Sequence, residues 1–495
     1  MTRSSSLRCA ALVWSAAQLC ACAAGPDYRV PEHALVQSSA ANAAFVGAQG
    51  DASVTPEPVP ERWWRLYDDA VLDGLVASAL AANTDLRVAG AALARSDALL
   101  LEARTLREPS IAIDAGIERS QVAGEQYLLR IRPPESSDYA ARVTVGYDLD
   151  LWGGIRRGIE EAAADRDAVL AARDLVRVNV VAETARAYAD ICGAGLELAS
   201  AQETVRTQRA SFELIDRLRA GGRATTLDAT RGRLLLREQE STLPALEAAQ
   251  RNALFRLAEL TGKTPAEFDR GIAACASPPR LHQPLPVGDG AELLRRRPDV
   301  RRAERQLAAA TAAIGVATAE LYPDVRLGLA LGSLGAIRDF LTAPTNLWNI
   351  GAIFHWQANQ SAARARVAAA DAGAVIALAN FDGVVLRSLQ DVESALNAYV
   401  HDLSREASLL GARADARKAA DDARRLEAAG RADAFAVVNA QRTLASVEQQ
   451  LARIEVAIAS DQIAVFLALG GGWTSEGANE LATADAANGS LAANP

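Results

Sequence analysis

Four short stretches of the chain alternate apolar and polar residues with a period of two. Their apolar positions are Ile111, Ile113, Ala115 and Ile117; Val143, Val145, Tyr147, Leu149 and Leu151; Val325, Leu327, Leu329 and Leu331; and Trp348, Ile350, Ala352, Phe354 and Trp356. The alternate positions carry Asp114, Glu118, Arg142, Asp148, Asp150 and Arg326. This pattern predicts strands over about 109–121, 139–151, 323–333 and 347–357. A half-buried soluble sheet alternates in the same way strand by strand. Alternation over about ten residues with charge on one face only is what a barrel strand between lipid and water requires. Four strands close no barrel, since about eight are needed even for a filled one. The chain must therefore associate with copies of itself.

The remaining pattern is helical. From Trp152 to Arg219 there is no proline, which predicts a helix roughly 100 Å long at 1.5 Å per residue. A second long helix is expected over 360–428. Shorter helices are expected over 84–107, starting at Thr84 as N-cap, and over 225–261, 298–321 and 432–469. Pro244 lies inside one of these and is expected to kink it. A short amphipathic helix is expected from Trp63-Trp64 to about Leu80.

The two halves share one plan. Pro109 and Pro323 end equivalent helices, and Gly222 and Gly262 match Gly430 and Gly470 in spacing. Ala89, Leu93 and Ala103 fall on Ala303, Leu307 and Ala317, so the halves read as a duplication. The expected organisation is a removable leader over 1–21, a poorly ordered extended lead-in over 22–60, a first repeat over 61–288, a second over 289–473, and a tail over 474–495.

Composition narrows the class. Half of the residues are apolar yet only 5% are aromatic, so alanine supplies much of the apolar content and suits close-packed helices. The net charge is −9 with Arg3 and Arg8 of the leader included, which argues against nucleic acid as a partner. Arg3 and Arg8 precede the apolar run Ala10–Ala17, which is too short to span a bilayer. Leu19-Cys20-Ala21-Cys22 follows, the arrangement of a bacterial lipoprotein signal with Cys22 as the lipidated residue. An ordinary secretory signal with a chance cysteine is the alternative. Cys192 and Cys275 are expected as two separate buried thiols, with one disulfide as the alternative in an oxidising compartment. No uninterrupted apolar run of 18 residues follows residue 25, so a membrane crossing is expected through a closed barrel. The four histidines, His33, His282, His355 and His401, have no metal-ligand spacing, and Gly470-Gly471-Gly472 before Trp473 reads as a helix terminator. Neither an enzyme nor a bound cofactor or metal is expected.

Several segments together resemble the TolC/OprM/NodT class of outer-membrane efflux channels. They are "GPDYRVP" after Cys22, "YDLDLWGGIRR" from Tyr147, "RRRPDVRRAERQLAAATAAIGVATAELYPD" from Arg295, "QDVESALNAY" from Gln390, "VVNAQRTLASVEQQLA" from Val437 and "LALGGGW" from Leu467. The resemblance implies a mainly α fold with β: a homotrimer whose twelve-stranded barrel is continued by a helical periplasmic tunnel. It implies outer-membrane lipid as surroundings, an inner-membrane efflux pump as substrate source, and a periplasmic adaptor held at the hairpin tips around Gly222, Arg223, Gly430 and Arg431. It further implies a periplasmic gate at Phe435, Asn439 and Arg442, with Asp228 at an acidic position of the first tip. Relatives carry aspartate where this chain has Asn439. The last strand also runs into Ile353-Phe354-His355-Trp356-Gln357-Ala358 instead of the usual proline-containing bend. Alternative functions are the outer-membrane part of type I protein secretion and a pore-less periplasmic coiled-coil lipoprotein.

Overall fold

The computed structural model describes residues 23–48, 50–128 and 130–471. Among these described residues helices dominate, with one four-stranded antiparallel sheet and one short parallel pair. In chain order the elements are β1 (Val54–Thr55), α1 (Ala70–Ala82), α2 (Thr84–Thr105), β2 (Ser110–Ser120), β3 (Ser136–Asp148), α3 (Gly154–Ala220), α4 (Thr226–Glu240) and α5 (Leu243–Leu260). There follow β4 (Leu285–Pro286), α6 (Gly290–Arg296), α7 (Pro298–Ala319), β5 (Asp324–Ala336), β6 (Asn346–His355), α8 (Ser361–Ala428) and α9 (Ala434–Ala468). Contacts divide the chain into two compact units, each drawing a matching stretch from both halves.

The first unit runs to Pro31 and adds Ala92–Leu170 and Arg302–Phe381. Pro109 and Pro323 each stand directly before a strand, where a residue without an amide hydrogen ends a helix and tolerates extended backbone. The lead-in, expected to be poorly ordered, is fixed here by Arg157. That guanidinium is buried, donates to the carbonyls of Ala24 (3.1 Å) and Gly25 (3.3 Å), and pairs with Asp27 and Glu160 at 2.7 Å each. A buried guanidinium must spend its five donors, and backbone carbonyls are the partners at hand. The Ala24 amide also donates to the Trp152 carbonyl at 2.8 Å.

The second unit comprises Glu32–Ala91, Ala171–Arg301 and Asp382 onward. Its core is built on Trp63, which stacks on Phe466 at 4.7 Å and meets Trp64 and Tyr67 edge-on at 6.2 Å each. Leu72, Ile191, Leu257, Leu285, Ile454 and Ile458 are fully buried around it. Each such aliphatic side chain contributes about 2 kcal/mol of transfer free energy. The rest of the lead-in is ordered in this unit as well. The Leu35 amide bonds Asp382 at 2.9 Å, the Val46 and Gly47 amides bond Glu393 at 2.7 Å each, and β1 pairs with β4.

Three local expectations are corrected. Asn83, not Thr84, caps α2, because its side-chain oxygen accepts from the Asp85 and Leu86 amides at 2.9 and 3.1 Å. Pro244 breaks the hairpin helix outright: α4 ends at Glu240 and α5 begins at Leu243 with the proline in its first turn, where a missing amide hydrogen costs nothing. Cys192 and Cys275 form a disulfide, with α-carbons 4.7 Å apart and 83 residues of separation. Closing a loop of that size removes chain entropy from the unfolded state worth ~4.5 kcal/mol.

One titrating group in this unit gives a pH prediction. Burial, and then the Asp402 carboxylate beside it, push Asp461 up to about 6. A carboxyl whose folded-state pKa lies above its unfolded one binds its proton more tightly when folded. Its stabilising contribution is complete at low pH and is lost as pH climbs from about 4 to about 6. Asp461→Asn is therefore expected to melt above the wild type at pH 7.5, with the gap shrinking to nothing at pH 4. Melting curves across that window check it; a gap constant with pH contradicts it.

Candidate channel wall and hairpin tips

The sheet has the order β2-β3-β5-β6, and its register joins the four apolar phases into one face. Ile111, Val145, Leu329 and Ile350 form one row, and Ile113, Val143, Leu331 and Trp348 the next. A slip of one residue in any pairing would mix the faces. Ile113 and Trp348 are about three-quarters exposed (75% and 74%), so the middle of this apolar face is uncovered within the subunit, while Tyr139 at the loop end is buried against Phe340. The other face carries Asp114 opposite Arg142, Asp148 paired with Arg326 at 3.4 Å, and Asp324 opposite His355. A glycine row, Gly146-Gly328-Gly351, crosses it. Among the described strand residues Arg119 is the one charge on the apolar phase. It sits at the loop end and pairs with Glu135 at 2.9 Å.

Some positions read as strand fall outside it. β3 ends at Asp148, and Asp150 serves as a helix cap, accepting from the Ile155 and Arg156 amides at 3.0 Å each. It is thus not a charge of the sheet face. The unusual segment after β6 is anchored by other means than proline. The Trp356 indole N–H and the Gln360 amide donate to the Leu321 carbonyl at 3.2 and 2.8 Å. In the first half Trp152 does the same to the Pro323 carbonyl at 2.8 Å and stacks on Tyr322 at 4.5 Å. Tryptophan and tyrosine gathered at the end of an apolar strand face are the usual signature of a membrane–water boundary.

The two hairpin tips share one backbone solution. Gly222 and Gly430 adopt φ of +75° and +68°, in the left-handed region. The Arg223 and Arg431 amides then reach back to the Leu218 and Leu426 carbonyls at 2.8 Å each. These six-residue closures end α3 and α8, and only glycine enters that φ range without strain. Gly262 and Gly470 end α5 and α9 in the same way, with φ of +68° and +67°. Four matching caps give the duplication a backbone basis.

The gate candidates separate into two roles. Asp228 closes a capping box: its carboxylate accepts from the Thr225 amide at 3.0 Å and the hydroxyl at 2.6 Å, which holds it below the usual carboxylate range. It is a helix cap at the base of α4. In the second tip Asp433 caps α9 through the Ala436 amide at 2.8 Å. Phe435 is half-buried at the start of that helix, and Asn439 and Arg442 are exposed four and seven residues on, on one face. Arg219, Arg424 and Arg425 pair with Asp216, Asp421 and Asp422 on their own helices at 2.9, 2.5 and 2.8 Å. Cys22 lies outside the described residues.

A sheet with one uncovered apolar face and one charged face, joined to very long paired helices, defines a membrane channel subunit. The profile described as "Outer membrane efflux protein" matches residues 75–263 and 291–471, and the chain belongs to that family. It is 29% identical over 444 residues to the pyoverdine export outer membrane protein OpmQ of Pseudomonas putida, covering 87% of this chain and 92% of the relative. Nodulation protein T of Rhizobium leguminosarum bv. trifolii is 28% identical over 462 residues, covering 92% and 95%. Among solved structures, the outer-membrane channel OprN superposes with a TM-score of 0.82 at 33% identity, covering 91% of this chain and all of that one. The protein is an outer-membrane channel component of an efflux system, with the efflux-channel fold.

Proposed function

We propose that three copies of this chain close a twelve-stranded barrel and pass small molecules outward. An inner-membrane pump supplies the substrate, and a periplasmic adaptor docks on the hairpin tips. The observation that carries the assembly is the sheet order: β2 and β6 are edges. An edge strand in a bilayer leaves amides and carbonyls with neither water nor partner, at several kcal/mol each, so β6 of one copy pairs with β2 of the next. The exposed apolar side chains Val375 and Ile376 on α8 support the same assembly. One stretch of α8 has a mean hydropathy of 1.5, yet only 11% of it is buried within the subunit, which suits a helix face covered by a second copy.

The tips suit docking because their backbones are fixed by the glycine caps while Arg223 and Arg431 project beyond them. Relatives named for pyoverdine export and toluene efflux favour small organic cargo over protein cargo. Cys22 serves as the lipid anchor in this reading, because Leu19-Cys20-Ala21 precedes it. Chemical cross-linking of outer membranes is expected to give a ladder that stops at three subunits. A ladder that stops at two, or continues beyond three, contradicts the assembly.

A further inference from the structure

The linker between α5 and α6, residues 261–289, is held at both ends by backbone. The Gly262 cap fixes its start, and β4 pairs with β1 near its finish. Its middle is held against α3 and α5 by three features that converge on one spot. Cys275 is bonded to Cys192, which is fully buried in the apolar core. One turn along α3, Gly195 faces the Cys275 carbonyl so closely that a β-carbon there would lie 2.1 Å from its oxygen. Gln250 of α5 donates to the Ala273 carbonyl at 2.9 Å. Glycine inside a long helix costs about 1 kcal/mol relative to alanine, and here it is what admits the linker backbone.

The two sulfurs sit in unequal surroundings. Cys275 is partly exposed, whereas Cys192 is enclosed by aliphatic side chains. A thiolate forms poorly in such a pocket, so Cys192 is both a weak nucleophile and a poor leaving group once the core has closed. The bond is hard to reduce in the folded chain and equally hard to form there. Its formation must precede the burial of Cys192.

We propose that oxidation of Cys192 and Cys275 is a required maturation step, and that this chain is a substrate for a periplasmic disulfide-donating protein. The Cys275 thiolate attacks the donor's disulfide, forming a mixed disulfide and releasing one donor thiolate. The Cys192 thiolate then attacks the Cys275 sulfur and releases the donor's second thiolate. Two chain thiols become one disulfide, the donor disulfide becomes a dithiol, and two protons are redistributed. With the staple closed, Ile272 and Ala273 dock on the core.

The test compares full-length protein from outer membranes of a host with its periplasmic thiol oxidant and of the same host without it. Free thiols are alkylated before non-reducing tryptic mass spectrometry, and assembled oligomer is measured by heat-modifiable migration. The Cys192 and Cys275 peptides are expected linked in the first host and alkylated in the second. There the oligomer should fall several-fold and trypsin should cut after Lys263, Arg270 or Arg280. The double variant Cys192→Ala/Cys275→Ala should give that same low yield in both hosts. Alkylated cysteines in assembled wild-type oligomer, or a double variant that assembles at the wild-type level, overturns the proposal. So does a further fall of the double variant in the host lacking the oxidant.

Discussion

Leu329→Arg is expected to abolish barrel insertion, while Gly328→Arg, one residue away on the same strand, leaves it largely intact. Leu329 lies mid-strand in an unbroken apolar row with Ile111, Val145 and Ile350. An arginine there faces hydrocarbon at a cost of roughly 2–4 kcal/mol near the midplane, repeated in every copy of the barrel. Gly328 lies on the opposite face between Gly146 and Gly351, and a β-carbon at Gly328 meets nothing within 4 Å. Gly146 is the poorer control, because a β-carbon there comes within 2.7 Å of the Arg326 guanidinium. Heat-modifiable migration of membrane-extracted protein reads insertion. Equal behaviour of the two variants means that the faces have been assigned wrongly.

Phe435→Ala is expected to raise single-channel conductance clearly, and Asn439→Asp to introduce block by added divalent cations. In the proposed trimer three copies of the second tip converge, and Phe435, Asn439 and Arg442 share one face of α9. Three carboxylates on an axis repel one another and recruit arginine or a cation. Three amides carry no charge and hydrogen-bond Arg442 without a strict pairing need. The apolar Phe435 ring then does most of the sealing. Asp228 is not expected to share this effect. Its carboxylate is committed to the Thr225 cap, and Asp228→Asn should loosen the start of α4 without changing divalent sensitivity. Planar-bilayer recordings separate these outcomes; unchanged conductance and unchanged divalent response in the first two variants remove this helix face from the gate.

The sheet was legible because the apolar residues repeat at a fixed period and, Arg119 apart, the charges of β2, β3 and β5 fall on the opposite face, so phase followed from the strands singly. Their pairing then brought equal phases together. The long helices were legible from the absence of proline, and the hairpin ends from paired glycines. Less was legible where a side chain acts on distant backbone. Asp150 alternates correctly with Asp148, and only its contact with the Ile155 and Arg156 amides shows it to be a cap. The lead-in has a loop's composition, and its order comes from Arg157, Asp382 and Glu393, which lie more than a hundred residues away in the sequence. Nor do two cysteines 83 residues apart announce a bond. The nearest signal was Gly195 inside a long helix, where a residue so poor at helix formation implies a close neighbour. The gate residues were placed by resemblance, and the structure adds their shared helix face and the cap that begins it.

A channel of this kind needs β5 to be a strand with lipid on one side and water on the other. Single cysteines placed in turn from Val325 to Gly332, in membranes of intact oligomer, test this directly with a water-soluble, membrane-impermeant maleimide. Labelling is expected at 326, 328, 330 and 332 and absent at 325, 327, 329 and 331. Uniform labelling along the strand, or reaction at the apolar positions, contradicts a lipid-facing barrel wall.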